Sequence, residues 1–185
     1  PRTSIISQPG ALLTTQKGIR EALNAEMSSY ELMKKINATF DDWKKDTQEP
    51  IFIGHNIIGY DLPVLKKILG GTPSKHTEII DTLVLSRLCH TNLYEIDAKE
   101  RSIDNKLYGS HSLKARGQRL GVLKKTLGTV EGDVWSKFTP EMADYCIQDV
   151  SVSAHLKYHF DILEYSEDAV DLEHKFAHII QRQIE

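Results

Sequence analysis

Two short apolar runs constrain this chain most. Ile51-Phe52-Ile53 and Glu78-Ile79-Ile80-Asp81-Thr82 are each too short for a helix of their own. Each runs into residues that start one. A run of that length, bounded by turn residues, predicts a buried strand. Almost every other patterned stretch has the three-to-four spacing of a helix, so the expected class is α/β. After the first run, Gly54-His55-Asn56 makes the exit and Tyr60-Asp61-Leu62-Pro63 the helix entry. Asp61 suits an N-cap or the turn before the helix, and Pro63 suits the first turn, where a missing N–H costs nothing. Val64, Leu65 and Ile68 then face inward, and Gly70-Gly71 stops the helix.

Upstream, Pro1, Pro9 and Gly10 make the first dozen residues irregular, and a short helix is expected over about 14–24. Ser28 and Glu31 form a capping box for a second helix, whose Met33, Ile36, Phe40 and Trp43 share one face. Downstream, Leu83, Leu85 and Leu88 read as helical. Residues 91–109 read as loop. Ser110 or Ser112 starts a helix that Gly121 closes. Thr139-Pro140 opens a long helix to about Leu163. A last helix begins near Ser166 or Asp168, with Leu172, Phe176, Ile179 and Ile180 on one face.

With 185 residues, 40% hydrophobic and 26% charged, the chain can build a true core. No apolar run is long enough to cross a bilayer, so no membrane partner is expected. Cys89 and Cys146 are the only cysteines and match no zinc or disulfide pattern, so a reducing compartment is the default. His155/His159 and His174/His178 have helical spacing, but Leu156 and Lys175 stand where a zinc peptidase needs Glu. The chain opens at Pro1 without Met and stops inside a helical run, which suggests a piece of something longer. Its net charge of −3 is uneven: −1 over residues 1–98, +6 over 99–125 and −8 over 126–185. A basic middle carrying Arg116, Arg119, Lys124 and Lys125 fits a phosphate-facing surface or a solvated helix face equally well.

Two carboxylates stand out. Asp61 lies at the strand-to-helix exit. Asp149 lies one helical turn after Tyr145, on the same face, with Cys146 and Val150 flanking it. A carboxylate and a phenol on one face can ligate a divalent ion and orient a water. Asp81 also follows a strand and reads as structural.

Asn56-x-x-x-Tyr60-Asp61 resembles the second motif of the DEDD 3′–5′ exonucleases, and Tyr145-x-x-x-Asp149 resembles their third motif in its tyrosine form. Ile80-Asp81-Thr82-Leu83-Val84-Leu85-Ser86-Arg87-Leu88, Gly109-Ser110-His111-Ser112-Leu113 with Arg119-Leu120-Gly121, and Ala169-Val170-Asp171-Leu172-Glu173-His174 are similar to the proofreading domain of bacteriophage A-family DNA polymerases of the T-seven type. The resemblance runs from about Pro50 to the C-terminus.

It implies a ribonuclease-H-like fold, a mixed sheet flanked by helices, here without its first strands. It divides the chain into a partial exonuclease domain over 1–165 and the start of a connection to a polymerase domain over 166–185. It implies two Mg²⁺ or Mn²⁺ ions held by four carboxylates and acting on the 3′ end of single-stranded DNA. Asp61 and Asp149 would be metal ligands and Tyr145 would orient the attacking water. Asn56, His55, Arg116 and Arg119 would contact substrate. Further expectations are a polymerase domain on the same or a split polypeptide, a bacterial host cytoplasm, and a sheet edge open to self-association.

The family's first motif, Asp-x-Glu on a strand, does not precede Asn56. Asp171-Leu172-Glu173 is the only such string and lies in a late helical segment. Two carboxylates under-ligate a pair of divalent ions, so this polypeptide alone is expected to be poorly active or inactive. The alternative is an exonuclease-like module, catalytically inert, that binds single-stranded DNA or scaffolds a polymerase.

Overall fold

The computed structural model describes residues 34, 51–69, 77–122, 140–161 and 165–184. The expected helices over 14–24 and from Ser28 lie outside these residues, apart from Lys34, which is helical. Lys124 and Lys125 lie outside them too.

Both expected strands form: β1 at Ile51–Gly54 and β2 at Glu78–Asp81, paired as a two-stranded parallel sheet. Parallel neighbours need a crossover connection, and the connection contains α1, Leu62–Leu69. A five-residue π-helical turn, Ile57–Asp61, leads directly into α1. Pro63 falls in the first turn of α1, as its fixed φ favours.

The described residues group into two units. One comprises 51–52, 57–69 and 77–80, together with Lys34; the other comprises 53–56, 81–122, 140–161 and 165–184. In the first, the π turn buries Ile57 and Ile58 and packs on α1.

The second unit is helical. Its helices are α2 at Thr82–Cys89, α3 at Leu93–Glu100, α4 at Leu113–Arg119, α5 at Pro140–Asp161 and α6 at Glu167–Ile184. A 3₁₀ turn at Asn105–Leu107 precedes α4. α2 packs on α5 and α6, and α4 packs on α5. The shared core is Leu85, Leu93, Ala115, Val152, Ala154, Leu156 and Phe160.

Side-chain caps set the starts of two of these helices. The Asp81 carboxylate accepts from Leu83 N at 2.9 Å and caps α2. Ser112 caps α4 by accepting from Ala115 N. α4 ends in a Schellman turn: Val122 N donates to Gly117 O and Gly121 N to Gln118 O, with Gly121 at φ +68°.

Residues 91–109 are not a loop. α3 occupies their centre, and the reason it escapes pattern reading is Asp97, which fills its inner face at 1% exposure beside Leu93. An acid there breaks the apolar stripe that marks a helix. The face shared by Leu172, Phe176, Ile179 and Ile180 on α6 is real, but it points to solvent.

Gly117 sits where α4 crosses α5. A Cβ there would lie 2.9 Å from Val122 O and 3.7 Å from the Val152 methyls. Gly117→Ala should therefore destabilise the fold by about 1–3 kcal/mol, although alanine favours helix. A lowered urea midpoint at unchanged slope is the expected readout; an unchanged or raised midpoint contradicts the close approach.

Candidate active site

The exits of the two strands are tied together by side chains. Thr82 Oγ1 donates to Gly54 O at 3.1 Å, which leaves it to accept from His55 Nδ1 at 3.0 Å. Asn56 takes a left-handed backbone, φ +63°, which Asn tolerates better than most residues. That turn aims its N–H at Asp81 Oδ1, 2.8 Å away. So His55 and Asn56, both expected near substrate, are held by the start of α2. Asp81 is structural, as its sequence context indicates.

Asp61 is exposed at the end of the π turn, beside the exposed ring of Tyr60. Short π segments recur at functional positions because the wider turn redirects side chains. Asp61 belongs to the first unit, whereas His55, Asn56, Tyr145 and Asp149 belong to the second.

Tyr145 and Asp149 lie one turn apart on α5 and are both half-buried. They continue the stripe that becomes Val152, Leu156 and Phe160 further along the helix. Asp149 Oδ1 is shut off from solvent. An acid in line with a core stripe is expensive unless its charge is used or compensated. Cys146 and Val150 do not bury it: both are exposed.

The arginines are placed otherwise than the charge distribution suggests. Arg116 is 3% exposed. Its Nε donates to Ser86 Oγ at 2.7 Å and its Nη2 to Ser86 O at 3.2 Å, with the guanidinium 5.5 Å above the Phe160 ring. Ser86 Oγ then donates to His111 Nδ1 at 2.7 Å. Burial pulls Arg116 down to about 10, helped by the Arg119 charge.

Arg119 grips the buried Asp97 with two parallel bonds, Nε to Oδ1 at 2.8 Å and Nη2 to Oδ2 at 2.7 Å. Gly109 N adds a third bond to Asp97 at 2.8 Å, and Arg119 Nη1 binds Ser110 O. Neither guanidinium presents a phosphate-facing surface: Arg119 clamps the segment between α3 and α4, and Arg116 ties α4 to α2. The Arg119 bond, opposed by burial and aided by Gly109, holds Asp97 below the usual carboxylate range.

This cluster and His174 are the ordering residues that pattern reading misses. His174 Nδ1 donates to Val170 O at 2.8 Å, leaving Nε2 to accept from Asp81 N at 2.8 Å. The sequence pattern shows His174 only through its four-residue spacing to His178, which does not point to this role.

Among the described residues, no three His, Cys, Asp or Glu side chains gather as a metal-holding group. No helix among the described residues is long and apolar enough to cross a membrane.

No protein-family model matches the chain. It is 32% identical over 173 residues to the DNA-directed DNA polymerase of Escherichia phage T7, covering 72% of this chain and 25% of that protein. The same figures hold for the DNA-directed DNA polymerase of Enterobacteria phage T3. The chain is homologous to these phage DNA polymerases and spans about a quarter of their length.

Two stability predictions follow from the buried charges. Asp97→Ala leaves Arg119 without its partner in a nearly closed site, and should cost about 3–5 kcal/mol in chemical unfolding. A loss below 1 kcal/mol, on the scale of an exposed pair, would show that the clamp is solvated.

The second concerns acid. His90 stacks on His159, ring centroids 5.9 Å apart, and its buried Nδ1 has no hydrogen-bond partner among the described residues. Burial, then Arg116 and the neighbouring histidines, push His90 down to about 4. Burial also lowers His111 and His159. The unfolded chain takes up these protons near the ordinary value of about 6.5, before the folded chain does, so stability should fall as pH drops from about 6.5 toward 4. His90→Phe should flatten that slope in urea titrations; an unchanged slope refutes the assignment.

Proposed function

We propose that this chain is the 3′–5′ exonuclease portion of a phage-type DNA polymerase, acting at the 3′ end of a single DNA strand. One observation carries the reading. In a chain homologous to phage DNA polymerases, Asn56-x-x-x-Tyr60-Asp61 and Tyr145-x-x-x-Asp149 recur in order. Asp61 leaves a strand exit through a π turn, and Tyr145 and Asp149 share one face of a long helix.

In this reading the fold is ribonuclease-H-like, with β1 and β2 as two strands of a larger mixed sheet. Asp61 and Asp149 contribute two of the carboxylates for Mg²⁺ or Mn²⁺, which when bound would activate water and stabilise the leaving oxygen. Tyr145 positions a water with its hydroxyl. His55 and Asn56, fixed by Thr82 and Asp81, shape the wall beside the strand end. The partner is a polymerase region on the same or another polypeptide, in the cytoplasm of a bacterial host.

Because the Asp-x-Glu carboxylates are not in this stretch ahead of Asn56, hydrolysis by these residues alone should be slow. The test is a 5′-labelled single strand incubated with the chain and Mg²⁺ or Mn²⁺. Shortening near background is expected. Adding a segment that carries an Asp-x-Glu strand should raise the rate by about 10²-fold or more, as general gains from completed metal sites allow. Asp149→Asn should abolish that gain. Rapid degradation by the chain alone would sink the under-ligation argument. Binding of single strands with no stimulation would favour the inert module.

A further inference from the structure

The wall that His55 and Asn56 form is held from the far end of the chain. Asn56 donates its N–H to Asp81 Oδ1 at 2.8 Å, from a left-handed backbone at φ +63°. Thr82 Oγ1 donates to Gly54 O and accepts from His55 Nδ1. Asp81 and Thr82 therefore set the wall, and whatever places Asp81 sets it in turn.

Asp81 ends β2 and caps α2. Its carboxylate turns to Asn56 N and Leu83 N, while its own N–H turns to His174 Nε2 on α6, 2.8 Å away. The two partners of the His174 ring fix its state. Val170 O can only accept, so Nδ1 carries the proton; the Asp81 N–H can only donate, so Nε2 carries none. The ring is buried, at 8% exposure, on a helix packed against α2. A buried backbone N–H without an acceptor is costly, so loss of Nε2 would drive Asp81 to move. All of these groups belong to the second unit.

We propose that His174 is a positioning residue for the DNA 3′ end: it acts through Asp81 and Thr82 to hold Asn56 and His55 where they contact the strand. This rests on the exonuclease reading. In that reading α6 also begins the connection to a polymerase region. The connecting helix is then a working part of the exonuclease wall, and the wall takes its shape only while α6 is docked on α2.

Three variants of the whole chain test this. His174→Phe keeps a ring but offers no acceptor, and His174→Gln restores one through Oε1. Gly117→Ala, whose own cost arises where α4 crosses α5, is the control for lost stability. His174→Phe should speed amide exchange at Asn56 by about 10-fold or more, as local opening allows. Binding is read by the anisotropy of a 5′-labelled single strand with a 3′-hydroxyl end, without metal ion. His174→Phe should raise the dissociation constant about 10-fold, the scale of about one hydrogen-bonded contact. His174→Gln should restore both readouts, and Gly117→Ala should leave the affinity unchanged. Should His174→Phe fail to fold, His174→Asn carries the same comparison, because its amide is too short to reach Asp81 N. An affinity indifferent to loss of the acceptor overturns the proposal and leaves the exonuclease reading standing. An equal loss in Gly117→Ala overturns it too, since lost stability then accounts for the effect. A chain that does not bind the single strand at all overturns the exonuclease reading and the proposal together.

Discussion

The second unit hangs on the backbone and carboxylate of Asp81. One oxygen, Oδ1, accepts from Leu83 N and so starts α2, and also accepts from Asn56 N and so fixes the exit of β1. The Asp81 N–H donates to His174 and so anchors α6, 93 residues away. Three segments far apart in sequence converge on one residue with 2% exposure. A buried carboxylate is tolerated only when its oxygens are hydrogen-bonded, and here those bonds are the ones that assemble the unit. An N-cap serine would offer a neutral hydroxyl oxygen in place of this anionic acceptor, and bonds to a charged acceptor are the stronger ones.

A second charged knot does similar work between α3 and α4. Asp97 gathers Arg119 and Gly109, while Arg116 lies alongside with Ser86 and the Phe160 ring. The unit thus buries two cations near one anion. The surplus positive charge is spread into neutral acceptors and a ring face, where a guanidinium tolerates burial better than an ammonium would. Burial first, and then this surplus, lowers both His90 and His111. The basic middle of the chain is therefore partly internal machinery, and a count of its lysines and arginines overstates the surface available to phosphates.

What the residues disclosed in advance follows from which forces are local. Ser112, Gly121 and Pro140 mark helix ends because capping and φ restrictions act within a few residues, and each end falls where they point. β1 and β2 were legible as apolar runs between turn residues. α3 was not, because its inward side chain is Asp97, and only a partner 22 residues on makes that burial affordable. Arg116 and Arg119 looked like surface charge for the same reason. The spacing of Tyr145 and Asp149 was readable, as was the motif around Asp61. What that spacing does not contain is depth: the stripe leading to Leu156 makes Asp149 half-buried rather than a surface acid.

This contrast bears on which carboxylates can do chemistry. Asp97 has both oxygens engaged by a guanidinium and a backbone N–H. Asp81 spends one oxygen on two backbone donors. Diverting either to a metal would unmake the contacts that hold α2, α4 and α6 in place. Asp61 and Asp149 have a different setting, one exposed at a π turn and the other at the outer end of a core stripe. A substitution at Asp81 or Asp97 therefore reports on the framework first, because the bonds it removes are the ones that join segments far apart in sequence. A loss of any activity in such a variant has to be set against its loss of stability before the carboxylate is given a chemical role.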